Sequence, residues 1–130
     1  MKYLLDANAV ISLLRGNAAI TSRARRHAPS EFAIPAVVAH ELFFGAYRGD
    51  RTAESLAQVE AIAFEILDFD REDARRAARL RATLARAGTP IGAYDVLIAG
   101  QALARGLVLI THNTNEFSRV DGLRIEDWER

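Results

Sequence analysis

Tyr3-Leu4-Leu5-Asp6-Ala7-Asn8-Ala9-Val10-Ile11-Ser12-Leu13-Leu14 holds two kinds of element and one carboxylate. Tyr3-Leu4-Leu5 is a short apolar run cut off by Asp6, which reads as a buried strand. From Ala7 the apolar positions Val10, Leu13 and Leu14 fall at helical spacing, and Gly16-Asn17 ends the helix. A strand followed by a helix: that alternation recurs outward from here.

Ala18 to His27 reads as a second short helix. Glu31 to Ile34 reads as a strand that Pro35 ends, and a proline also suits the start of the helix expected from Ala36 to Tyr47. Beyond Gly49-Asp50, Thr52 to Ala63 presents Leu56, Val59 and Ile62 on one helical face, and Phe64 to Phe69 reads as a strand. Asp70, with Asp73 three residues on, signals the start of a helix from Arg71 to Ala87. The loop Thr89-Pro90-Ile91-Gly92 leads to a helix from Ala93 to Arg105. Leu107 to Thr111 is the most strand-like stretch, and a short strand near Leu123-Arg124-Ile125 closes the pattern. Short apolar strands alternating with amphipathic helices predict an α/β fold with a mostly parallel sheet and helices on both faces. In such sheets the working site lies beyond the carboxyl ends of the strands. Asp6 and Thr111-His112-Asn113 both stand at such ends.

A chain of 130 residues suits one domain over residues 1–130. Basic and acidic residues balance at 17 each, so net charge does not point to nucleic acid. Lys2 is the only lysine, so sixteen of the seventeen bases are arginine; arginine makes forked contacts with phosphate and carboxylate, although coding bias produces the same composition. The absence of cysteine excludes disulfides and thiolate metal sites and suits a reducing cytoplasm. Asp6 comes too early for a signal-peptide apolar region, and no apolar run is long enough to span a bilayer. A soluble, cytoplasmic protein without a membrane partner is expected.

Three acids invite closer reading. Asp6 either caps the helix that follows or serves a site. Glu41, in Val-Val-Ala-His-Glu-Leu-Phe-Phe, has apolar neighbours on most sides of its helix, where a carboxylate needs a partner or a metal unless it lies on a narrow exposed stripe. Asp95, in the first turn or so of a helix, is favoured by the helix dipole alone, but Ile98, Ala99 and Ala102 make that helix core-facing. A strand end, a helix interior and a helix start can meet in an α/β fold. Three carboxylates brought together repel one another and raise one another's pKa. A hard divalent ion, magnesium or manganese, relieves that repulsion and can promote attack on a phosphodiester. His27, His40 and His112 lack zinc-like spacing and read as non-ligands.

The sequence resembles the PIN-domain family, and within it the VapC-type toxins of bacterial toxin–antitoxin pairs. The resemblance is carried by Leu-Leu-Asp-Ala-Asn-Ala-Val-Ile-Ser from Leu4, Pro-Ala-Val-Val-Ala-His-Glu-Leu-Phe-Phe-Gly from Pro35, Ile-Gly-Ala-Tyr-Asp-Val-Leu-Ile-Ala from Ile91, and the run from Leu109 to Trp128. It implies a three-layer PIN-like sandwich and a Mg2+-dependent endoribonuclease, with Mn2+ as a possible substitute. It also implies an RNA substrate, a VapB-like antitoxin, a homodimer and a hetero-oligomer with the antitoxin. The family's acidic set maps onto Asp6, Glu41 and Asp95, with Asp6 and Asp95 holding the metal. Where many relatives have an aspartate this chain has Asn113, and Glu116 either supplies the fourth carboxylate or holds the loop. Asn8, Thr111 and Asn113 are candidates for orienting water or phosphate.

Arg23, Arg25 and Arg26, and Arg71, Arg75, Arg76, Arg79, Arg81 and Arg86, are the basic candidates for RNA. Acids such as Glu72 and Asp73 lace the second group, which makes a solvated helix face its plainer reading. Phe43, Phe44 and Tyr47 read as core, or else as an antitoxin contact. A haloacid-dehalogenase-type phosphatase wants an acid where Asn8 stands, and a receiver domain wants a lysine that Lys2 cannot provide. A non-catalytic RNA- or protein-binding module is the alternative that Asn113 favours.

Overall fold

Where a strand lies between two layers of helices, every position along it must be apolar. β1 (Tyr3–Leu5), β2 (Phe32–Pro35) and β4 (Val108–Ile110) meet that demand and are buried throughout. β3 (Glu65–Leu67) and β5 (Ile125–Glu126), which carry charged residues, lie at the two edges. In the computed structural model, which describes all 130 residues, the strands form one sheet in the order β3-β2-β1-β4-β5. Every pairing is parallel.

α1 (Ala7–Leu14) and α2 (Ala18–Ala24) join β1 to β2; α3 (Ala36–Arg48) and α4 (Thr52–Glu60) join β2 to β3. α5 (Arg71–Arg86) and α6 (Ala93–Arg105) return the chain to β4, and α7 (Thr114–Phe117) leads to β5. Strands are added outward from β1 first in one direction and then in the other. Right-handed crossovers therefore send the two sets of helices to opposite faces. No helix is long and apolar enough to cross a membrane.

The core runs through Leu4, Leu5, Ile34, Leu109, Ile110 and Phe117, all 1 % exposed or less. An aromatic cluster closes one end: Phe32 stacks on Phe64 at 4.8 Å and Tyr3 meets Trp128 edge-on at 4.9 Å. α5 and α6 pack so closely that a Cβ on Gly100 would lie 2.5 Å from the Cα of Ala77. The predicted start of α5 is realised as a reciprocal cap. The Asp73 N–H donates to Asp70 Oδ1 at 2.9 Å, and the Asp70 N–H to Asp73 Oδ2 at 3.0 Å. Asp73, only 1 % exposed, also takes two bonds from Arg105 and one from Gln101.

The elements differ from expectation chiefly at their ends. Pro35 is the last residue of β2 and caps α3; Glu31 lies in a 3-10 turn over Pro29–Glu31. The polar run Thr114–Phe117 forms a helix that no apolar periodicity announced. Phe44 and Tyr47 are not core: they are 56 % and 66 % exposed, on the solvent side of α3.

Candidate active site

The strand order turns back between β1 and β4, and in parallel sheets the crevice at such a switch point receives ligands. Asp6 follows β1 directly and Thr111 follows β4 directly. Asp6 is 5 % exposed, and its two oxygens have separate duties. Oδ1 accepts the Ala9 N–H at 2.9 Å and caps α1, while Oδ2 accepts the Thr111 hydroxyl at 2.5 Å. The cap, one of the two roles the sequence left open for this side chain, is made by Oδ1, and it leaves Oδ2 facing Thr111 at the crevice.

From Thr111 a chain of hydrogen bonds leads across the crevice. Thr111 Oγ1 accepts the Asn113 N–H at 3.0 Å, and the Asn113 side-chain amide donates to Glu116 Oε2 at 2.8 Å. Glu116 Oε1 accepts the backbone N–H of Gly92, the residue that caps α6. Asp95, in the first turn of α6, closes the ring. A Cβ on Gly92 would sit 3.3 Å from Asp95 Oδ2 and 3.3 Å from Glu116 Oε1. These two carboxyls thus face each other across a residue without a side chain. Glu41 projects from α3, half-buried and without a hydrogen-bond partner.

The electrostatics record how near the four acids are. Burial pushes Asp6 above the usual carboxylate range, and Thr111 and Ala9 only partly offset this. Burial also raises Glu41, helped by the charge of Asp6. Asp95 is pushed up to about 7, first by burial and then by Glu116, with Asp6 and Glu41 adding to the effect. Glu116 goes the other way, because the Gly92 N–H and the Asn113 amide hold its charged form against the effect of burial. Of this facing pair, Asp95 is therefore the one that more readily takes up a proton.

Four carboxylates, with no histidine or thiolate among them, make a hard all-oxygen donor set of the kind magnesium and manganese take. Burial and then repulsion favour the protonated form of Asp95, and a divalent cation would offset both. The donor chemistry suits such an ion, which Asp6 and Asp95 would hold with Glu41 and Glu116 nearby, although the oxygens of these four acids do not close to within 4.8 Å of one another as a set.

Asn8, expected to orient water or substrate, is exposed and borders two hollows that flank the acids. One, of about 470 Å³, includes Glu41, Leu14 and Leu42; the other, of about 450 Å³, includes His112 and Asn113. His27 stacks on Trp128 at 5.5 Å and His40 lies edge-on to Tyr94 at 5.8 Å. His112 differs: its ligand atoms and those of Asp127 and Glu129 lie within 4.8 Å of one another. These donors are already engaged, however. His112 Nδ1 pairs with Asp127 at 2.9 Å, Arg130 with Asp127 at 3.1 Å, and the Ser12 hydroxyl with Glu129 at 2.6 Å. Sequence reasoning missed Asp127, Glu129 and the N–H of Gly92. For Gly92 the signal was present, a glycine immediately before the helix that carries Asp95.

A family profile described as "PIN domain" matches residues 3–123. The chain is 37 % identical over 130 residues to the "tRNA(fMet)-specific endonuclease VapC" of Shigella flexneri, covering 98 % of each. Among solved structures it is similar to a chain of DNA-bound VapBC from Salmonella typhimurium, with TM-score 0.93, 40 % identity and 98 % of both chains covered. It is also similar to a chain of VapBC2 from Rickettsia felis bound to a promoter DNA fragment, with TM-score 0.92, 27 % identity, and 98 % and 99 % covered.

Proposed function

The chain belongs to the PIN domain family, and on that premise we propose that it is the ribonuclease toxin of a VapBC-type pair. The domain spans residues 1–130, the substrate is RNA, and the hydrolysis of its phosphodiesters depends on Mg2+, with Mn2+ as a substitute. A VapB-like antitoxin is the protein partner, in keeping with neighbours that are VapBC complexes. Leu14, Phe44 and Tyr47, exposed beside or near the hollow that holds Glu41, offer it an apolar seat.

The observation that carries the reading is the convergence of Asp6, Glu41, Asp95 and Glu116 at the switch point, with Asp95 raised to about 7 by its neighbours and its burial. Asp6 and Asp95 would hold a divalent cation, which would supply charge neutralisation for a phosphodiester under attack and a more acidic water. Glu41, which has no partner, is free to accept a proton from the attacking water. Thr111 fixes the rotamer of Asp6, and Gly92 and Asn113 fix Glu116. Attack by water on phosphorus leaves a 5′-phosphate and a 3′-hydroxyl. Glu116 restores the fourth carboxylate that Asn113 lacks, which weighs against a purely binding role.

The test is cleavage of end-labelled tRNA by the purified protein in magnesium, manganese and excess chelator. Asp6→Ala and Asp95→Ala are expected to abolish cleavage while the protein stays folded. Full activity in either variant, or in chelator, would overturn the proposal.

A further inference from the structure

α5 carries six arginines, and the acids that sequence placed among them do not neutralise them. Asp73 is turned inward under Arg105 and Gln101. Glu72 reaches only Arg75, at 3.8 Å, with the two side chains 72 % and 76 % exposed. A pair so exposed is weak. Arg76, Arg79 and Arg119 form no ion pair at all.

Arg76 and Arg79, nearly one helical turn apart, line two adjoining hollows of about 400 and 410 Å³. Arg119 lines the first of these, and its guanidinium donates to the Pro90 carbonyl at 3.0 Å. Its N–H bonds to the Glu116 carbonyl at 3.2 Å. The cationic strip thus begins on α5 and ends one turn beyond a carboxylate of the site, tied to the loop that carries Gly92. Asp121 and Glu72 are the only acids on the two hollows. None of the large exposed apolar side chains (Leu14, Phe44, Tyr47, Ile66, Tyr94) lies there, and the leucines of the first hollow, Leu80, Leu84 and Leu103, are half-buried or buried, so no exposed aromatic or aliphatic anchor for a protein partner stands there.

We propose that Arg76, Arg79 and Arg119 form a docking site for the phosphodiester backbone of a folded RNA, outside the acidic crevice and continuous with it. This inference rests on the ribonuclease reading and adds to it. Forked guanidinium groups suit phosphate oxygens, and such contacts position a nucleic acid without reading its sequence. A strip held beside the crevice steadies RNA that flanks the cleaved position. RNA long and folded enough to reach both places gains from it, and a short strand does not.

The experiment compares wild type, Arg76→Gln/Arg79→Gln and Arg76→Lys/Arg79→Lys, each also in an Asp6→Asn background that does not cleave. The probes are full-length tRNA(fMet) transcript and a short unstructured RNA. The glutamine variant is expected to bind the transcript about tenfold or more weakly, with the slope of log affinity against log salt shallower by about 1.5. Its loss in kcat/KM is expected to be greater on the transcript than on the short RNA. The lysine variant, which keeps the charge but not the fork, is expected to keep the wild-type salt slope and to bind between wild type and the glutamine variant. Equal losses on both RNAs, an unchanged salt slope in the glutamine variant, or a lysine variant as weak as the glutamine one overturn the docking site. So does loss of antitoxin affinity with RNA affinity intact. Wild type that neither binds nor cleaves RNA overturns the ribonuclease reading, and the site with it.

Discussion

Asp95→Asn removes a carboxyl whose ionisation is opposed first by burial and then by its acidic neighbours. The folded protein lifts this carboxyl from 3.8 to about 7. Each tenfold change in acidity is worth about 1.4 kcal/mol, so ionising Asp95 inside the cation-free fold costs about 4 kcal/mol relative to the unfolded chain. Solvent in the open crevice and the loss of a favourable helix-dipole interaction, about 0.3–1 kcal/mol, reduce what the variant recovers. A net gain of about 2 kcal/mol is expected at pH 8 in chelator, which for a chain of this size raises Tm by about 8 °C. The sign of the pH dependence follows from the raised value. Between pH 3.8 and about 7 the folded state holds a proton that the unfolded state has lost. Wild type therefore weakens as pH rises through this window, and the advantage of the variant shrinks to near nothing at pH 4. Magnesium should stabilise wild type and have little effect on the variant. Thermal unfolding at pH 8 and pH 4, with chelator and with magnesium, reads all of this. If Asp95→Asn is no more stable than wild type in chelator at pH 8, burial and the neighbouring acids do not oppose the charge of Asp95 as described, and the case for a cation beside it fails.

Gly92→Ala should fold, since its φ of −55° and ψ of 150° suit alanine, but the new Cβ would press on Asp95 and Glu116 at 3.3 Å; a cleavage rate lower by about tenfold or more, with Tm little changed, is expected from steady-state assays. Gly100→Ala should act oppositely, on stability. A Cβ 2.5 Å from the Ala77 backbone forces α5 and α6 apart at about 1–3 kcal/mol, more than the helix propensity gained, and denaturant titration reads the loss. Arg105→Gln leaves the buried carboxylate of Asp73 short of its two forked bonds and should cost about 2–4 kcal/mol at pH 7. Burial acts to raise Asp73, but Arg105, the Asp70 cap and Gln101 together hold it below its ordinary value. Its contribution is therefore complete above pH 3.8 and is lost as pH falls through the lower folded value, so urea midpoints of wild type and variant should converge in acid.

Strands buried on both faces announce themselves as apolar runs, and β1, β2 and β4 were legible for that reason. α6 was legible to the residue, because Gly92 and Gly106 bracket it and Gly106 adopts the left-handed conformation at φ 64°. The short helix at Thr114 was not legible. Four residues contain too little periodicity, and Phe117 is its only buried member. Phe44 and Tyr47 misled because an apolar side chain announces burial whether the neighbour is the chain's own core or another molecule. The acids divide in the same way. Asp6 could be placed from the strand it ends, whereas the orientation of Glu116 depends on a backbone N–H from 24 residues upstream. A contact of that kind leaves no periodic trace.

Asn113 illustrates why charge alone is a poor guide to the competence of this site. An aspartate there would add one more negative group beside acids that already hold a proton on Asp95, and an ionised carboxylate cannot donate to Glu116 Oε2. The asparagine amide does donate, and with the Gly92 N–H it keeps Glu116 ionised below the usual range while Asp95 is pushed above it. In the proposed site the charge missing at 113 is supplied at 116, by a side chain held at both oxygens. The hydrogen bonds from Asp6 through Thr111 and Asn113 to Glu116 join the ends of β1 and β4 to the start of α6. A shift of any one of these elements would therefore displace more than one carboxylate. Precision of placement comes from that linkage, because the charges themselves only push the elements apart.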